Sequence, residues 1–124
     1  MKIEILVNDR TFQAELNDGP TARRVAELLP LTGSANVWGD EIYFDIPLQV
    51  AEEPAAKQEV PVGTLAYWPP GNAFCIFYGP TPVSEDATPR AYSPVNLLGR
   101  VIGDATLFRE VIGGTLVTLT KAAD

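Results

Sequence analysis

Alternating apolar and polar residues predict a β-hairpin at the start of the chain. Ile3, Ile5 and Val7 alternate with polar or charged neighbours, which is the period-two pattern of a strand with one buried face. A polar turn at 8–10 follows, and the same alternation resumes beyond it. Residues 2–17 are therefore predicted to form two antiparallel strands.

A helix is predicted directly after this hairpin. Pro20 suits the first helical turn, and Asp18 or Thr21 is a candidate for capping its free amide groups. The next apolar residues recur at helical spacing, and Pro30 ends the pattern. The predicted apolar stripe consists of Ala22, Val25, Ala26 and Leu29.

Short apolar segments separated by turn residues fill the rest of the chain and predict further strands. These predicted strands are 36–38, 41–46, 48–51, 60–68, 73–78, 95–102 and 115–120. A helical turn is predicted at 104–111, with Asp104 as its N-cap. With 10 Gly, 11 Pro and one clear helix, the pattern indicates an all-β fold, closed or sandwiched, in a single domain over residues 1–124.

Charge and composition exclude several classes of partner. The formal net charge is −7, and the nine Lys and Arg residues are scattered, so neither nucleic acid nor an anionic membrane surface is an expected partner. No apolar run reaches the roughly 18 residues needed to span a membrane. One cysteine cannot form an internal disulfide, which fits a reducing, cytoplasmic location.

The lack of histidine narrows the chemistry further. It excludes Ser-His-Asp and Cys-His catalysis as well as histidine-based zinc sites, and a single cysteine excludes thiolate clusters. The acidic pairs at 40–41, 52–53 and 85–86 are predicted to lie on solvated faces, because neighbours in a strand point to opposite sides. No metal and no cofactor are expected.

The stretch 67–82, YWPPGNAFCIFYGPTP, contains the most unusual composition in the chain. The turn at 68–72 is either a stiff aromatic rim of a pocket or a packed turn at the end of the sheet. In the strand that follows, Phe74, Ile76 and Tyr78 share one face, and Cys75 and Phe77 the other. Burial is predicted for both faces, with Cys75 an unreactive buried thiol.

Three segments resemble cyclophilins in the same order along the chain. They are FQAELNDGPTARRVAELL at 12–29, GTLAYWPPGNAFCIF at 63–77 and LLGRVIGDATLFREVIGG at 97–114. The sequence is still more similar to small prokaryotic cyclophilin-like proteins, which share YWPPGNAFCIFYGPTP and SPVNLLGRVIGD. That resemblance implies a closed eight-stranded antiparallel β-barrel with one main capping helix and a short helical turn, and no assigned activity.

Most of the isomerase chemistry of cyclophilins is not matched. Their arginine lies in a segment that corresponds here to IYFDIP at 42–47, which contains none. The position of their pocket tryptophan falls near Arg90, and that of their pocket histidine near Val95. Arg90 is thus the one candidate for an arginine contact to a ligand, since its planar fork of donors suits a carboxylate or a carbonyl.

We therefore predict a cyclophilin-like binding domain whose aromatic cleft takes a small molecule or a short peptide. An atypical peptidyl-prolyl cis-trans isomerase that uses Arg90 is the first alternative. A structural or homo-oligomerising domain, joined through hydrophobic strand edges, is the second. The predicted ligand-binding residues are Tyr43, Phe44, Trp68, Pro69, Asn72, Phe74, Phe77, Arg90 and Asn96.

Overall fold

The computed structural model describes residues 1–123 and shows a ten-stranded antiparallel arrangement with one α-helix. Two short 3₁₀ helices complete it, at Pro69–Gly71 and Ala105–Glu110. The helix α1 spans Pro20–Leu28. The strands are β1 Lys2–Val7, β2 Arg10–Leu16, β3 Leu31–Ser34, β4 Asn36–Trp38, β5 Glu41–Asp45, β6 Lys57–Glu59, β7 Thr64–Trp68, β8 Ala73–Phe77, β9 Arg90–Ile102 and β10 Leu116–Lys121.

The order of strands in the sheet is β3-β10-β1-β2-β9-β7-β8-β5-β4, and β6 pairs with β9 beside this path. The edge strands β3 and β4 follow one another in the chain, joined by Ala35. A Cβ on Gly33 of β3 would overlap the ring of Phe44 in β5. The Phe44 ring therefore packs directly against the backbone of β3, and this contact brings the two ends of the sheet together.

The predicted closed eight-stranded barrel differs from this arrangement in two respects. The sheet has ten strands, because Leu31–Ser34 and Lys57–Glu59 form short strands that the sequence pattern did not indicate. Across residues 1–123, no hydrogen-bonded ladder joins the two edge strands. The all-β, antiparallel character of the prediction is confirmed.

Two apolar clusters lie on opposite faces of the same strands. The main core contains Phe44, Phe74 and Ile76 and is covered by the buried face of α1. The second cluster lies on the other face of β5, β7, β8 and β9, and its buried members are Val60, Ala66, Ala73, Cys75, Phe77, Ala91 and Val95. Every residue of β8 is therefore buried, as predicted for both faces of this strand.

The N-terminal hairpin and the helix form where the pattern predicts them. The cap differs, because Gly19 is the N-cap residue and no side chain caps the helix. Thr21 instead hydrogen-bonds the carboxylate of Glu53. At the second helical turn, Asp104 is the N-cap as predicted, and its carboxylate accepts from the backbone N–H of Thr106 at 3.0 Å.

One predicted strand is absent and two others begin several residues from the predicted start, one of them β7, which begins at Thr64 rather than at residue 60. Residues 48–51 form no strand, since Leu48 packs into the main core from an irregular segment. Strand β9 begins at Arg90 rather than at residue 95, and its first residue lies opposite Glu59 of β6. Within residues 1–123, no helix has the length and hydropathy required to cross a lipid bilayer.

Candidate functional site

A concave site lies on the outer face of the sheet, next to the second apolar cluster. We call it the aromatic groove. Its volume is about 250 Å³, and β4, β5, β7 and β9 supply its walls. The lining residues are Trp38, Glu41, Tyr43, Trp68, Ala91, Tyr92 and Val95.

The hairpin of β4 and β5 places three of these side chains on one face. Glu41 and Tyr43 alternate with Ile42 and Phe44, which point into the main core, so the former pair points outward. Trp38 lies directly opposite Glu41 in the ladder, and directly opposed residues share a face. A two-residue turn with Gly39 at positive φ connects the strands.

Trp68, the last residue of β7, is held in position from two sides. Its indole Nε1–H donates a hydrogen bond to Oγ of Ser93 at 2.7 Å. Its ring also lies against Gly71 of the following 3₁₀ helix, where a Cβ would come within 2.6 Å of ring carbons Cε3 and Cζ3. Pro69 and Pro70 restrict the backbone of that helix, so the indole has little freedom to move.

Gly71→Ala is expected to displace the indole of Trp68 and to disturb the aromatic groove. Real Cβ atoms do not approach a ring to 2.6 Å, so either the ring or the 3₁₀ helix must shift. The indole N–H resonance of Trp68 should move in NMR spectra, while the free energy of unfolding falls by about 1 kcal/mol. Gly113→Ala, at a position with open space around it, is the control and should leave that resonance unchanged. An unchanged Trp68 resonance in Gly71→Ala would contradict the packing described.

Tyr92 links the two indoles. Its ring centroid lies 6.1 Å from that of Trp68 and 6.3 Å from that of Trp38, with interplanar angles of 87° and 68°. Such edge-to-face contacts are favourable because the positive ring edge meets a negative ring face. Tyr92 is nevertheless 69% exposed, which is unusual for a large aromatic side chain in the middle of an aromatic cluster.

Glu41 supplies the groove's one carboxyl group, and it is only 6% exposed. Burial raises the pKa of its carboxyl from 4.5 to about 7, and the nearby Cys75 thiol offsets part of that rise. Near neutral pH both the protonated and the ionised form are therefore populated. A carboxyl in this condition is able either to donate or to accept a hydrogen bond.

The thiol of Cys75 lies below the groove and is fully buried. Burial, followed by the nearby carboxylate of Glu41, raises its pKa well above its usual value. The thiol therefore stays protonated and is not an activated nucleophile, in agreement with the prediction of an unreactive buried cysteine. Within residues 1–123, no group of three or more Cys, Asp or Glu side chains is arranged to hold a metal ion.

Comparison with known proteins places this architecture in a family. The sequence model described as cyclophilin-like matches residues 1–120. The chain belongs to the cyclophilin-like family. The solution structure of a hypothetical protein from Archaeoglobus fulgidus is similar, with a TM-score of 0.81 and 36% sequence identity over 98% of this chain and 95% of that chain. No curated protein sequence matches this one.

The cyclophilin-like sheet brings some of the predicted site residues to the groove and leaves others away from it. Tyr43 and Trp68 line it. Phe77 is buried in the second apolar cluster, on the outer face of the same sheet. Pro69 belongs to the 3₁₀ helix that supports Trp68 and is not itself a lining residue.

Two other predicted residues lie on the inner side of the sheet, and a third, Asn72, lies in the turn after the 3₁₀ helix. Phe44 and Phe74 are fully buried in the main core, with their ring centroids 5.4 Å apart. The side-chain oxygen of Asn72 accepts a hydrogen bond from the Tyr67 hydroxyl at 3.1 Å, and this residue adopts a left-handed conformation after the 3₁₀ helix. The predicted set of site residues mixed the two faces of the sheet, because it included adjacent strand positions and these face opposite sides.

The two predicted polar anchors are engaged elsewhere. Asn96 is completely buried and hydrogen-bonds Thr21, Ala51 and Glu53, which ties α1 and the 47–56 segment to β9. The guanidinium of Arg90 pairs with Glu85 at 3.0 Å and contacts the Gln58 side-chain oxygen at 3.4 Å. Neither side chain lines the groove.

Five lining residues were not predicted from the sequence: Trp38, Glu41, Ala91, Tyr92 and Val95. A usable signal existed for two of them, since the predicted strands 36–38 and 41–46 flank a two-residue turn and a hairpin there places Trp38 opposite Glu41. The expectation that the acidic pair at 40–41 is solvated was wrong for Glu41. That residue is buried because it lies between Trp38 of β4 and Phe77 of β8, its directly opposed neighbours on the outer face of the sheet.

Proposed function

We propose that this cyclophilin-like protein is a binding domain whose aromatic groove takes a small organic ligand. The observation that carries the proposal is the meeting of two tryptophans and two tyrosines around one concavity that also contains a buried carboxyl. Ligand sites typically combine an apolar, aromatic lining with a few polar groups that fix orientation. The partly exposed rings provide the first, and Glu41 provides the second.

Size favours a small molecule over an extended peptide. Sites for drug-sized ligands occupy roughly 300–1,000 Å³, and the groove's volume of about 250 Å³ lies below that range. Its walls are also preorganised, because Trp68 is fixed by Ser93 and by the proline-containing 3₁₀ helix. Rigid walls reduce the entropy that is lost when a ligand binds.

Glu41 replaces Arg90 as the polar anchor in this proposal. The guanidinium of Arg90 is already paired with Glu85 and Gln58, so a ligand would have to displace both. The same pairing weakens the alternative of an isomerase that uses Arg90 to contact the twisting amide. The archaeal relative, described as a hypothetical protein, suggests no ligand.

Tryptophan fluorescence provides a direct test, because both tryptophans of the chain line the groove. Titration with a library of neutral, anionic and cationic small molecules should yield compounds that change the emission and shift both indole N–H resonances. Tyr92→Ala should weaken their binding about tenfold or more, since it removes the ring that links the two indoles.

Ile112→Ala serves as the control for this experiment. Ile112 is 74% exposed and is not among the lining residues, so its removal should leave binding unchanged. An Ala-Pro peptide is included with the library to compare the isomerase alternative. A library in which no compound perturbs either indole at millimolar concentration would refute the proposed function, as would tight binding of the peptide alone.

A further inference from the structure

The charge and the aromatic lining of the groove together define one class of ligand. We propose that the aromatic groove recognises a small alkylammonium cation, which Glu41 binds as counter-ion and the aromatic rings contact through their faces. This inference rests on the proposed function, because it names the chemistry of the ligand at the same site.

The charge of the groove lining is unbalanced. Glu41 is its one carboxylate, and none of the seven lining residues is cationic. Arg90 and Arg109 are paired with other acids, Arg90 with Glu85 and Arg109 with Asp40. A buried carboxylate without a partner is costly. A cationic ligand relieves that cost, an anion increases it, and a neutral molecule leaves it in place.

The number and arrangement of the aromatic rings also favour a cation. Aromatic faces carry negative charge density and attract cations within about 6 Å of the ring centroid, and tryptophan does so most strongly. The groove has two tryptophans and two tyrosines, and Tyr92 lies nearly perpendicular to both indoles. Rings set at such angles enclose a common space from several sides, which suits a compact, roughly spherical cation.

Alkylated ammonium groups suit this lining better than primary ones. A primary ammonium has three N–H donors and is strongly hydrated. Trp38 and Trp68 offer no acceptor, and Ala91 and Val95 present apolar side chains, so besides the Glu41 carboxylate the side-chain acceptors are the hydroxyls of Tyr43 and Tyr92. An ammonium whose hydrogens are replaced by methyl groups needs no acceptors and makes apolar contact with the rings. Its small head group also fits the groove's volume of about 250 Å³.

Ionisation of Glu41 makes this recognition depend on pH. The titratable groups around it are the Cys75 thiol from β8, Tyr43 on its own strand, Tyr92 from β9, and Asp40 and Tyr78 at the strand ends. Burial raises the pKa of Tyr78 to about 12 and that of Cys75 well above its usual value, so neither becomes charged near neutral pH. Affinity for a cation is therefore expected to rise between about pH 6 and about pH 8, as Glu41 loses its proton.

The test compares choline with its neutral carbon isostere, 3,3-dimethylbutan-1-ol, by tryptophan fluorescence and NMR on the intact chain. Choline should bind at least about tenfold more tightly at about pH 8. Glu41→Gln should remove most of that preference and the pH dependence, while Ile112→Ala should preserve both. Proton–nitrogen spectra of each variant establish that it is folded.

The outcomes separate this inference from the proposed function. Equal binding of choline and the alcohol at the indoles would leave the proposed function standing and overturn the cationic ligand. Choline affinity that survives Glu41→Gln unchanged would overturn the role of the carboxylate. Tighter binding of a trimethyllysine peptide than of choline would overturn the assignment to a free small molecule. Binding of no library compound at the groove would remove both proposals.

Discussion

Glu41→Gln is expected to raise the free energy of unfolding at about pH 8 by roughly 2–3 kcal/mol. The wild-type carboxyl has its pKa raised from 4.5 to about 7 by burial. One pKa unit corresponds to about 1.36 kcal/mol, so ionising this group in the folded state costs about 3 kcal/mol more than ionising it in the unfolded chain. Glutamine has nearly the same shape and does not ionise, and therefore avoids that cost.

The direction of the pH dependence of stability follows from which state, folded or unfolded, holds the proton on Glu41. Between about pH 4.5 and about pH 7 the folded state retains the proton on Glu41, while the unfolded chain releases it. The contribution of Glu41 to stability therefore falls as pH rises through this window and is constant above it. In Glu41→Gln this fall is absent, so the difference in stability between the two proteins should grow over the same window.

Urea unfolding of the two proteins at several pH values measures this difference. Glu52→Gln is the matched control, because Glu52 is exposed and its replacement should change stability by less than about 0.5 kcal/mol at any pH. Equal stability of wild type and Glu41→Gln at about pH 8 would show that the carboxyl is better solvated than described. If Glu41→Gln is more stable than the wild type but binds cations less tightly, the Glu41 carboxyl serves binding and lowers the stability of the fold.

Asn96→Ala is expected to lower the free energy of unfolding by about 2–4 kcal/mol while leaving the aromatic groove intact. The buried amide accepts from the Glu53 backbone N–H at 2.8 Å and donates to Ala51 and Thr21 at 3.0 and 3.1 Å. Its removal leaves three polar groups without their partner, and each unsatisfied buried group costs about 1–3 kcal/mol. Water can reach part of the exposed 51–53 segment, which keeps the total below the simple sum.

Urea unfolding and indole N–H resonances together distinguish a structural from a ligand-binding role of Asn96. Asn17→Ala provides the comparison, since Asn17 also makes side-chain hydrogen bonds but is exposed, and should lose at most about 1 kcal/mol. Indole resonances in Asn96→Ala should match those of the wild type below the unfolding midpoint. A variant of undiminished stability that loses ligand binding would restore Asn96 as a direct contact.

Local patterns in the sequence determined the all-β class, the N-terminal hairpin, the helix from Pro20 and the burial of both faces of β8. These features depend on neighbours within a few residues, namely alternation, helical spacing and the conformational limits of proline and glycine. The family was also recognisable from continuous segments such as 67–82, because a motif of this length does not require knowledge of the fold.

Two of the predicted site residues, Trp68 and Tyr43, line the groove, but the predicted set combined residues from both faces of the sheet. Phe74 and Phe44 share the aromatic character of the groove residues, and composition alone does not distinguish them. Their assignment to the core depends on which face of β5 and β8 is turned inward. Which face of each strand is turned inward depends on the pairing and curvature of the whole sheet, and not on the sequence of either strand alone.

Sequence alone thus determined most of the strands and the stock of aromatic side chains, although the pattern did not indicate β3 and β6. Only the tertiary structure decided that Trp38, Glu41 and Tyr92 join Trp68 in one groove, while Asn96 and Arg90 are engaged elsewhere. Residues from β4, β5, β7 and β9 are distant in sequence, and the pairing order of the sheet brings them together. The physical reason is that burial and charge pairing depend on the surroundings of a side chain in space and not on its neighbours in the chain. Burial raises the pKa of Glu41, and within residues 1–123 no cationic side chain is placed to pair with its carboxyl.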